Sequence, residues 1–337
     1  MAARGRTNSE RSASSASRYS RAEFERDFPD DETCLDWLWR RSHSADGEHA
    51  FCPKCGRERR FYRVSTRQSY SCATCGRHIH PTAGTIFHKS SSPLRFWFAA
   101  IFLMSSTRCG VSAKQLEREL GVTYKTAWRM VTKIRAELMP QGNEPLTGKV
   151  EMDEMYVGGK PRLADSAQWA NMAHLERKAA ARAWASKKQT PVFGMVERQG
   201  RVAAHVVSGA TTAEIMPHVK ARVLPGAVVY TDQSTVYWRQ IPNAGYQHRR
   251  VHHQAKVYVE GDVHTQTIEG FWSQVKRGIA GTHHSVSAKY LEGYLNEYVW
   301  RYNHRRDPRA MFFGILENVA VEASPSRGSL LGDGLPA

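Results

Sequence analysis

Long apolar runs are missing from this 337-residue chain. The longest, Phe96 to Met104, has nine residues, whereas a helix needs about 20 to cross a bilayer, so a soluble protein with no membrane partner is expected. Cysteine is scarce as well. Six in the whole chain are too few for the disulfide scaffold of a small secreted protein. Acidic residues are in deficit: 32 Asp and Glu stand against 48 Lys and Arg, a formal charge of +16. That balance suits a protein that meets a polyanion, and nucleic acid is the first class to consider. The first twenty-one residues lack apolar periodicity and hold five Arg, one Glu and six Ser, a composition that cannot offset the entropy of ordering. A disordered basic arm is expected over 1–27. It lacks the apolar segment of a secretory signal, which points to an intracellular, cytoplasmic location. With 41% hydrophobic and 24% charged side chains, the remainder is long enough for two or more cores.

Four of the six cysteines are spaced for a metal. Cys52-Pro-Lys-Cys55-Gly and Cys72-Ala-Thr-Cys75-Gly are C-x2-C pairs with 16 residues between them, in the range of a zinc ribbon. Gly56 and Gly76 supply the backbone freedom that the tight turns need. Four thiolates would close a tetrahedron around a structural Zn2+, with no position left for a substrate. Cys34 and Cys109 have no such partners and are expected to be small core residues. Between the knuckles, Arg57, Arg59, Arg60, Arg63 and Arg67 are interleaved with Phe61, Tyr62 and Tyr70. Basic and aromatic side chains together on a small ribbon suit contact with phosphate.

Ser92-Pro93 opens a helix whose apolar sequence reads as a buried member of a small bundle. Ser112-Ala-Lys-Gln115 is a capping box ahead of a helix with Ala113, Leu116 and Leu120 on one face, closed at Gly121. A second helix starts at Thr123, where Ala127, Val131, Ile134 and Leu138 make an inward stripe and Lys125, Arg129 and Lys133 a basic one. Helix, glycine turn and basic helix is the pattern of a helix-turn-helix whose second helix enters the major groove. A plain packing pair is the other reading.

After Pro140 the character changes, with Gln141 to Gly148 read as a linker. Val150 to Val157 is strand-like and carries Glu151, Asp153 and Glu154. Three acids are costly in a core strand unless something cationic offsets them, and the pattern alone leaves open which of the three does so. Pro191 to Arg198 and Arg201 to Val207 read as a hairpin about Gln199-Gly200, followed by a helix from Ala213 to Val223. Ala227 to Asp232 is a short buried strand ending in a carboxylate, where ligand sites of sheet proteins gather. From about Thr267, Ile268, Phe271, Trp272, Val275 and Ile279 form a helical stripe, with Glu269 and Lys276 beside it. Carboxylates from two adjacent strands and a glutamate from a packed helix would make an all-oxygen cage, which favours Mg2+ or Mn2+ over zinc. Two such ions would activate the attacking oxygen and stabilise the leaving one at a phosphodiester. Lys276 would hold the DNA backbone as a point charge.

Taken in order, these motifs resemble bacterial insertion-sequence transposases of the ISXO-like group, the family numbered fifteen ninety-five, in which a zinc ribbon and helix-turn-helix precede a DDE core. The resemblance spans roughly Phe28 to Arg306. It rests on Cys52-Pro-Lys-Cys55-Gly, Thr82-Ala-Gly-Thr-Ile-Phe87 and Leu120-Gly-Val-Thr-Tyr-Lys-Thr-Ala-Trp128. Further along it rests on Met152-Asp-Glu-Met-Tyr-Val-Gly-Gly-Lys160, Tyr230-Thr-Asp232, His264 to Gly278 and Arg301-Tyr-Asn-His-Arg305. It implies an RNase H-like fold and metal-dependent cutting and joining of DNA at terminal inverted repeats. Carried over residue by residue, it implies Asp153 as the first-strand carboxylate, Asp232 as the second, Glu269 as the third and Lys276 as the accompanying lysine.

The fold class that follows is multidomain α/β. A zinc ribbon with a preceding helix is expected over 28–90, a helix-turn-helix bundle over 91–140, an RNase H-like mixed sheet flanked by helices over 145–310, and a C-terminal helix and tail over 311–337. Residues 161–190 depart from the family pattern. Their Ala-rich stretch near Met172 to Ala185, with Arg177, Lys178, Arg182, Lys187 and Lys188, reads either as a DNA-clamping or dimer-contacting flap or as a solvated insertion. His248, Arg249, Arg250, His252 and His253 would line the cleft, while Leu291, Tyr294, Leu295, Tyr298 and Tyr302 belong to the core. The expected cofactors are one structural Zn2+ and two catalytic Mg2+ or Mn2+ ions. The expected partner is double-stranded DNA, both inverted repeats and target, bound by a homodimer or larger assembly because two ends must be paired. The rival readings are a DNA-binding regulator with a catalytically inactive core and a general nuclease that ignores element ends.

Overall fold

Local signals start the first helices of the computed structural model, which describes residues 18–107, 109–158, 173, 175–176, 189–232, 239–250, 264–307 and 310–319. Ser20 and Glu23 cap reciprocally, Glu23 N to Ser20 Oγ at 3.2 Å and Ser20 N to Glu23 Oε2 at 2.7 Å, and launch α1 (Arg21–Asp27). This helix lies inside the expected disordered arm; its capping box and the burial of Phe24 order it. Asp30 caps α2 (Asp31–Ser42) by accepting from Thr33 N at 2.8 Å. A four-stranded antiparallel meander follows, β1 (His49–Cys52), β2 (Arg57–Val64), β3 (Ser69–Cys72) and β4 (His78–Ile79). Trp39 of α2 stacks on Tyr70 of β3 with ring centroids 4.1 Å apart, which pins the meander to the helix.

Helix α3 (Leu94–Ser106) is preceded by Pro93, which has no side-chain oxygen to cap it. Asp31 does so instead, its Oδ1 accepting from Arg95 N at 2.8 Å. Helices α4 (Ala113–Leu120) and α5 (Tyr124–Lys133) meet through Gly121, at φ +64°, and α5 continues as a π-helical turn over Ile134–Leu138. These are the two helices expected from the capping and stripe pattern.

The chain forms two compact units. The first takes the residues up to 108, Ala113–Leu138 and the segment from Asp307; the second takes Cys109–Ser112 and Met139–Arg306. The C-terminal helix, α10 (Met311–Glu317), therefore belongs to the first unit rather than following the second. The cause is aromatic: Phe312 stacks on Tyr19 at 5.1 Å and meets Phe24, Phe28 and Phe102 edge-on. Cys34 is buried as expected, but Cys109, expected in the core, is exposed in the loop beside Gly110.

The second unit is a five-stranded mixed sheet of order β7-β6-β5-β8-β9, with β5 (Lys149–Val157), β6 (Thr190–Glu197), β7 (Val202–Val206), β8 (Val228–Thr231) and β9 (Gln247–Arg250). Strands β7, β6 and β5 pair antiparallel, while β8 and β9 run parallel to β5. One face buries Val150, Met152, Phe193 and Val229 against α6 (Thr212–Arg222) and α7 (Gln240–Asn243). The other buries Met155, Val192 and Val196 against Ile268, Phe271, Trp272 and Leu295 of α8 (Gln266–Gly278) and α9 (Ala288–Asn303). Leu291, Leu295 and Tyr298 are core residues, as expected, with Tyr294 and Tyr302 partly buried. Among the described residues no helix is long and apolar enough to cross a membrane. The basic residues of the expected flap, together with His252, His253 and the tail from 320, lie outside the described residues.

The expected linker Gln141–Gly148 is docked on this unit, with Leu146 buried and bridged to Val223. Its Gln141 helps close the β7 edge. Along that edge Asn303 pairs with Val202 (Val202 N to Oδ1 2.8 Å, Nδ2 to Val202 O 3.0 Å). Gln141 pairs with Ala204 (Ala204 N to Oε1 3.1 Å, Nε2 to Ala204 O 2.6 Å), and Glu292 Oε2 accepts from Val206 N at 2.9 Å. Polar side chains thus occupy the backbone groups that another strand would use. Replacing Gln141 and Asn303 together by Ala should lower unfolding free energy by about 2–4 kcal/mol, at roughly 1 kcal/mol for each hydrogen bond removed, and promote self-association. Calorimetry and sedimentation that match the unaltered protein would refute this.

Candidate functional site

Each cysteine pair sits at the end of a strand and closes a turn, Gly56 N to Cys52 O at 2.9 Å and Gly76 N to Cys72 O at 3.0 Å. Both glycines take positive φ, +67° and +69°. The four sulfurs of Cys52, Cys55, Cys72 and Cys75 all lie within 4.8 Å of one another. Crowding drives their protons apart. The Cys55 thiol, hydrogen-bonded to Cys75 and partly desolvated, is pushed up to about 12. Burial works against the Cys72 thiolate too, yet the amides of Cys75 and Thr74 and the neighbouring thiols outweigh it and draw Cys72 down to about 6. Four thiolates can coexist in that space only around a cation, and an all-sulfur set of this kind fits a soft tetrahedral ion.

The acids of β5 are sorted by the two-residue period of a strand. Glu151 and Asp153 point to the face covered by α8, and Glu154 to the face of Val150 and Met152. Glu151 is 0% exposed. Its Oε1 accepts from Arg198 Nε at 2.7 Å and Thr267 Oγ1 at 3.0 Å, and its Oε2 from the amides of Thr267 and Ile268 at 2.8 and 3.0 Å. With each oxygen accepting twice, Glu151 has no lone pair left for a cation.

Asp153 sits opposite Gly194 of β6, where a methyl group would overlap the Trp272 ring, so the glycine lets α8 lie close to the strand. Strand β8 runs beside β5 with Tyr230 opposite Glu151, and Asp153 and Asp232 each follow two residues later in their own segments. Glu269 lies in the first turns of α8, its Oε1 accepting from Thr265 Oγ1 at 3.1 Å. Burial first, then the negative charges of Asp232 and Glu269, push the Asp153 carboxyl up from 3.8 to about 6 against the pull of the Glu154 amide and the Trp272 indole. Asp153 therefore lies within electrostatic reach of both other acids. The three do not close into a ligand set as tight as the sulfurs, which are the group so gathered among the described residues. Lys276 is exposed two turns further along α8. His248 of β9 contacts Thr231 Oγ1 through Nε2 at 2.8 Å, and that hydroxyl donates to Asp232 O at 2.8 Å, so His248 braces the segment carrying Asp232. Sequence reasoning missed what Glu151 does; its signal is the same two-residue period that pairs it with Asp153.

The basic residues separate into two groups. Arg57, Arg60, Lys125 and Arg129 are exposed, Arg60 lying 3.0 Å from Glu48 and 5.4 Å from the exposed Tyr62 ring. Lys133 is partly buried beside Glu137 at 3.6 Å. Arg59 leans on the Cys55 thiol. Arg63 folds onto its own turn, donating to the carbonyls of Val64, Arg67 and Ser69.

The ISXO2-like transposase domain matches residues 145–303. An uncharacterised protein in transposable element ISH50 of Halobacterium salinarum is 31% identical over 263 residues, 77% of this chain and 87% of that protein. The chain belongs to the ISXO2-like transposase family. An uncharacterised transposase-like protein of Haemophilus influenzae is 27% identical to this transposase over 99 residues, 29% of this chain and 78% of that protein. The HTLV-2 integrase catalytic core domain, solved in complex with magnesium in a trimeric form, aligns with a TM-score of 0.27 at 10% identity, over 47% of this chain and 85% of that one.

Because Asp153 holds its proton more tightly folded than unfolded, its contribution to stability is complete below about pH 4 and is lost as pH rises to about 6. In magnesium-free, zinc-containing buffer the loss should be on the order of 2 kcal/mol, discounted for partial exposure. Urea-unfolding free energies of Asp153→Asn should lack that slope, and parallel pH profiles for the two proteins would show the attribution to be wrong.

Proposed function

We propose that this transposase binds the terminal inverted repeats of an insertion sequence and catalyses metal-dependent cleavage and transfer of DNA strands there. One observation supports the reading: Asp153 on β5 is within electrostatic reach of both Asp232, after β8, and Glu269, on α8. The strand order supports an RNase H-like reading of the second unit, with three antiparallel strands followed by two parallel ones. Three carboxylates that repel one another fit hard divalent cations. Mg2+ or Mn2+ bound there would activate the attacking oxygen and stabilise the leaving one. Asp153, Asp232 and Glu269 hold that charge in place, and Lys276 holds the DNA backbone beside it.

Zn2+ at Cys52, Cys55, Cys72 and Cys75 keeps the ribbon folded. Lys125, Arg129 and Lys133 on the second helix of the helix-turn-helix, with Arg57 and Arg60 of the ribbon, contact DNA. Arg59 and Arg63 act mainly by shaping the ribbon. Holding two DNA ends for joining requires two or more copies of the chain.

The test is incubation of the full chain with end-containing DNA and magnesium, with and without Asp153→Asn. Cleavage should fall by a factor of about 10³ or more, the scale of losing transition-state charge stabilisation, while DNA retention in a gel stays unchanged. Equal product from both proteins would sink the assignment of Asp153, and none from either alongside specific binding would favour a regulator. Lys125→Ala combined with Arg129→Ala should flatten the slope of log affinity against log salt by about 2, one unit for each phosphate no longer neutralised. An unaltered slope would place the DNA elsewhere.

A further inference from the structure

We infer that Glu151, with Arg198 and Thr267, is a positioning clamp that sets the three acids relative to one another and thereby fixes the cation affinity of the site; this rests on the reading of Asp153, Asp232 and Glu269 as cation ligands. The amides at the start of a helix need acceptors, and the residue preceding the helix usually supplies one. In α8 that residue, Thr265, makes no side-chain cap and turns its hydroxyl to Glu269. Glu151 takes over from a strand 116 residues earlier, accepting from the amides of Thr267 and Ile268. Its negative charge is well placed there, at the positive end of the helix.

Arg198 completes the arrangement. It donates to Glu151 through Nε and to the His264 carbonyl through Nη2 at 2.7 Å, just ahead of α8. Its guanidinium lies 4.2 Å from the centre of the Tyr230 ring on β8. Each proposed ligand thus has a member of this network two residues before it: Glu151 before Asp153, Tyr230 before Asp232 and Thr267 before Glu269. A buried ion pair is weak as a source of stability, since well-packed apolar residues often serve as well or better. A dry carboxylate that ties three elements together is suited to holding their relative positions.

The experiment is Mn2+ binding by the zinc-loaded full chain, followed by electron paramagnetic resonance of the free ion. Glu151→Gln should raise the half-saturating Mn2+ concentration about tenfold or more, the usual scale for groups that orient metal ligands. Thr267→Val, which removes one hydroxyl and no charge, should raise it about two- to fourfold at an unchanged thermal midpoint. If Asp153→Asn binds Mn2+ as the unaltered chain does, the ligand reading fails and the clamp fails with it. If Asp153→Asn loses the ion while Glu151→Gln and Thr267→Val both keep full affinity, the clamp alone is overturned. Should Glu151→Gln unfold, Thr267→Val decides: weaker binding supports the clamp and unaltered binding overturns it.

Discussion

A charged carboxylate at the centre of a dry sheet is the constraint around which the second unit is arranged. Strand β5 has a neighbour on each side and packed side chains on each face, so Glu151 has no water to solvate it. Leaving such a charge uncompensated costs several kcal/mol. Its partners come from the end of β6, through Arg198, and from the first turn of α8. Neither can be displaced without leaving the other side unsatisfied, so strand and helix are locked in one register. The apolar stripe of Ile268, Phe271, Trp272 and Val275 fixes which face of the helix meets the sheet, but apolar contact is non-directional. The clamp supplies the direction along the helix axis that the stripe lacks.

The first unit is held by other means. Its meander is too small to bury much of a core, and four sulfurs within 4.8 Å replace one. The Trp39–Tyr70 stack then joins the meander to α2. Beyond it, phenylalanines from α1, α3 and α10 make a second centre. Stacked and edge-on rings have preferred geometries, so this centre fixes orientation as well as burial. It draws in the segment from Asp307 even though the whole second unit intervenes in sequence.

Much of this was legible in the residues, for physical reasons that differ by element. The C-x2-C knuckles, the β6–β7 hairpin about Gln199-Gly200 and the α8 stripe are local patterns, and each formed within a residue or two of its expected place. Most of what escaped depends on contacts distant in sequence, Arg63 being the local exception. Helix α1 sits in a basic, serine-rich stretch and is kept by Phe24, whose ring partners lie about 80 and 290 residues away. Arg63 looks like a phosphate ligand, yet the turn carbonyls of Val64, Arg67 and Ser69 reach it first. Gln141 reads as linker because an amide pairing with a strand edge has no signature in sequence. The three acids of β5 could not be ranked by composition, because their difference lies wholly in what surrounds them.

That difference is also what the proposed chemistry requires. Glu151 and Asp153 are two residues apart on one face, chemically alike, and placed in opposite surroundings. The lone pairs of Glu151 are filled by four donors, so it acts within the protein as a neutralised anchor. Asp153 is within reach of the like charges of Asp232 and Glu269, which a bound cation would offset. A phosphodiester approaching three carboxylates would be repelled unless positive charge surrounds them. Arg249 and Arg250 on the edge strand β9 and Lys276 and Arg277 on α8 are exposed cations on two elements of this unit. In the proposed function the net excess of base over acid would meet the polyanion beside an acidic site, and the dry anchor would keep the acids in register.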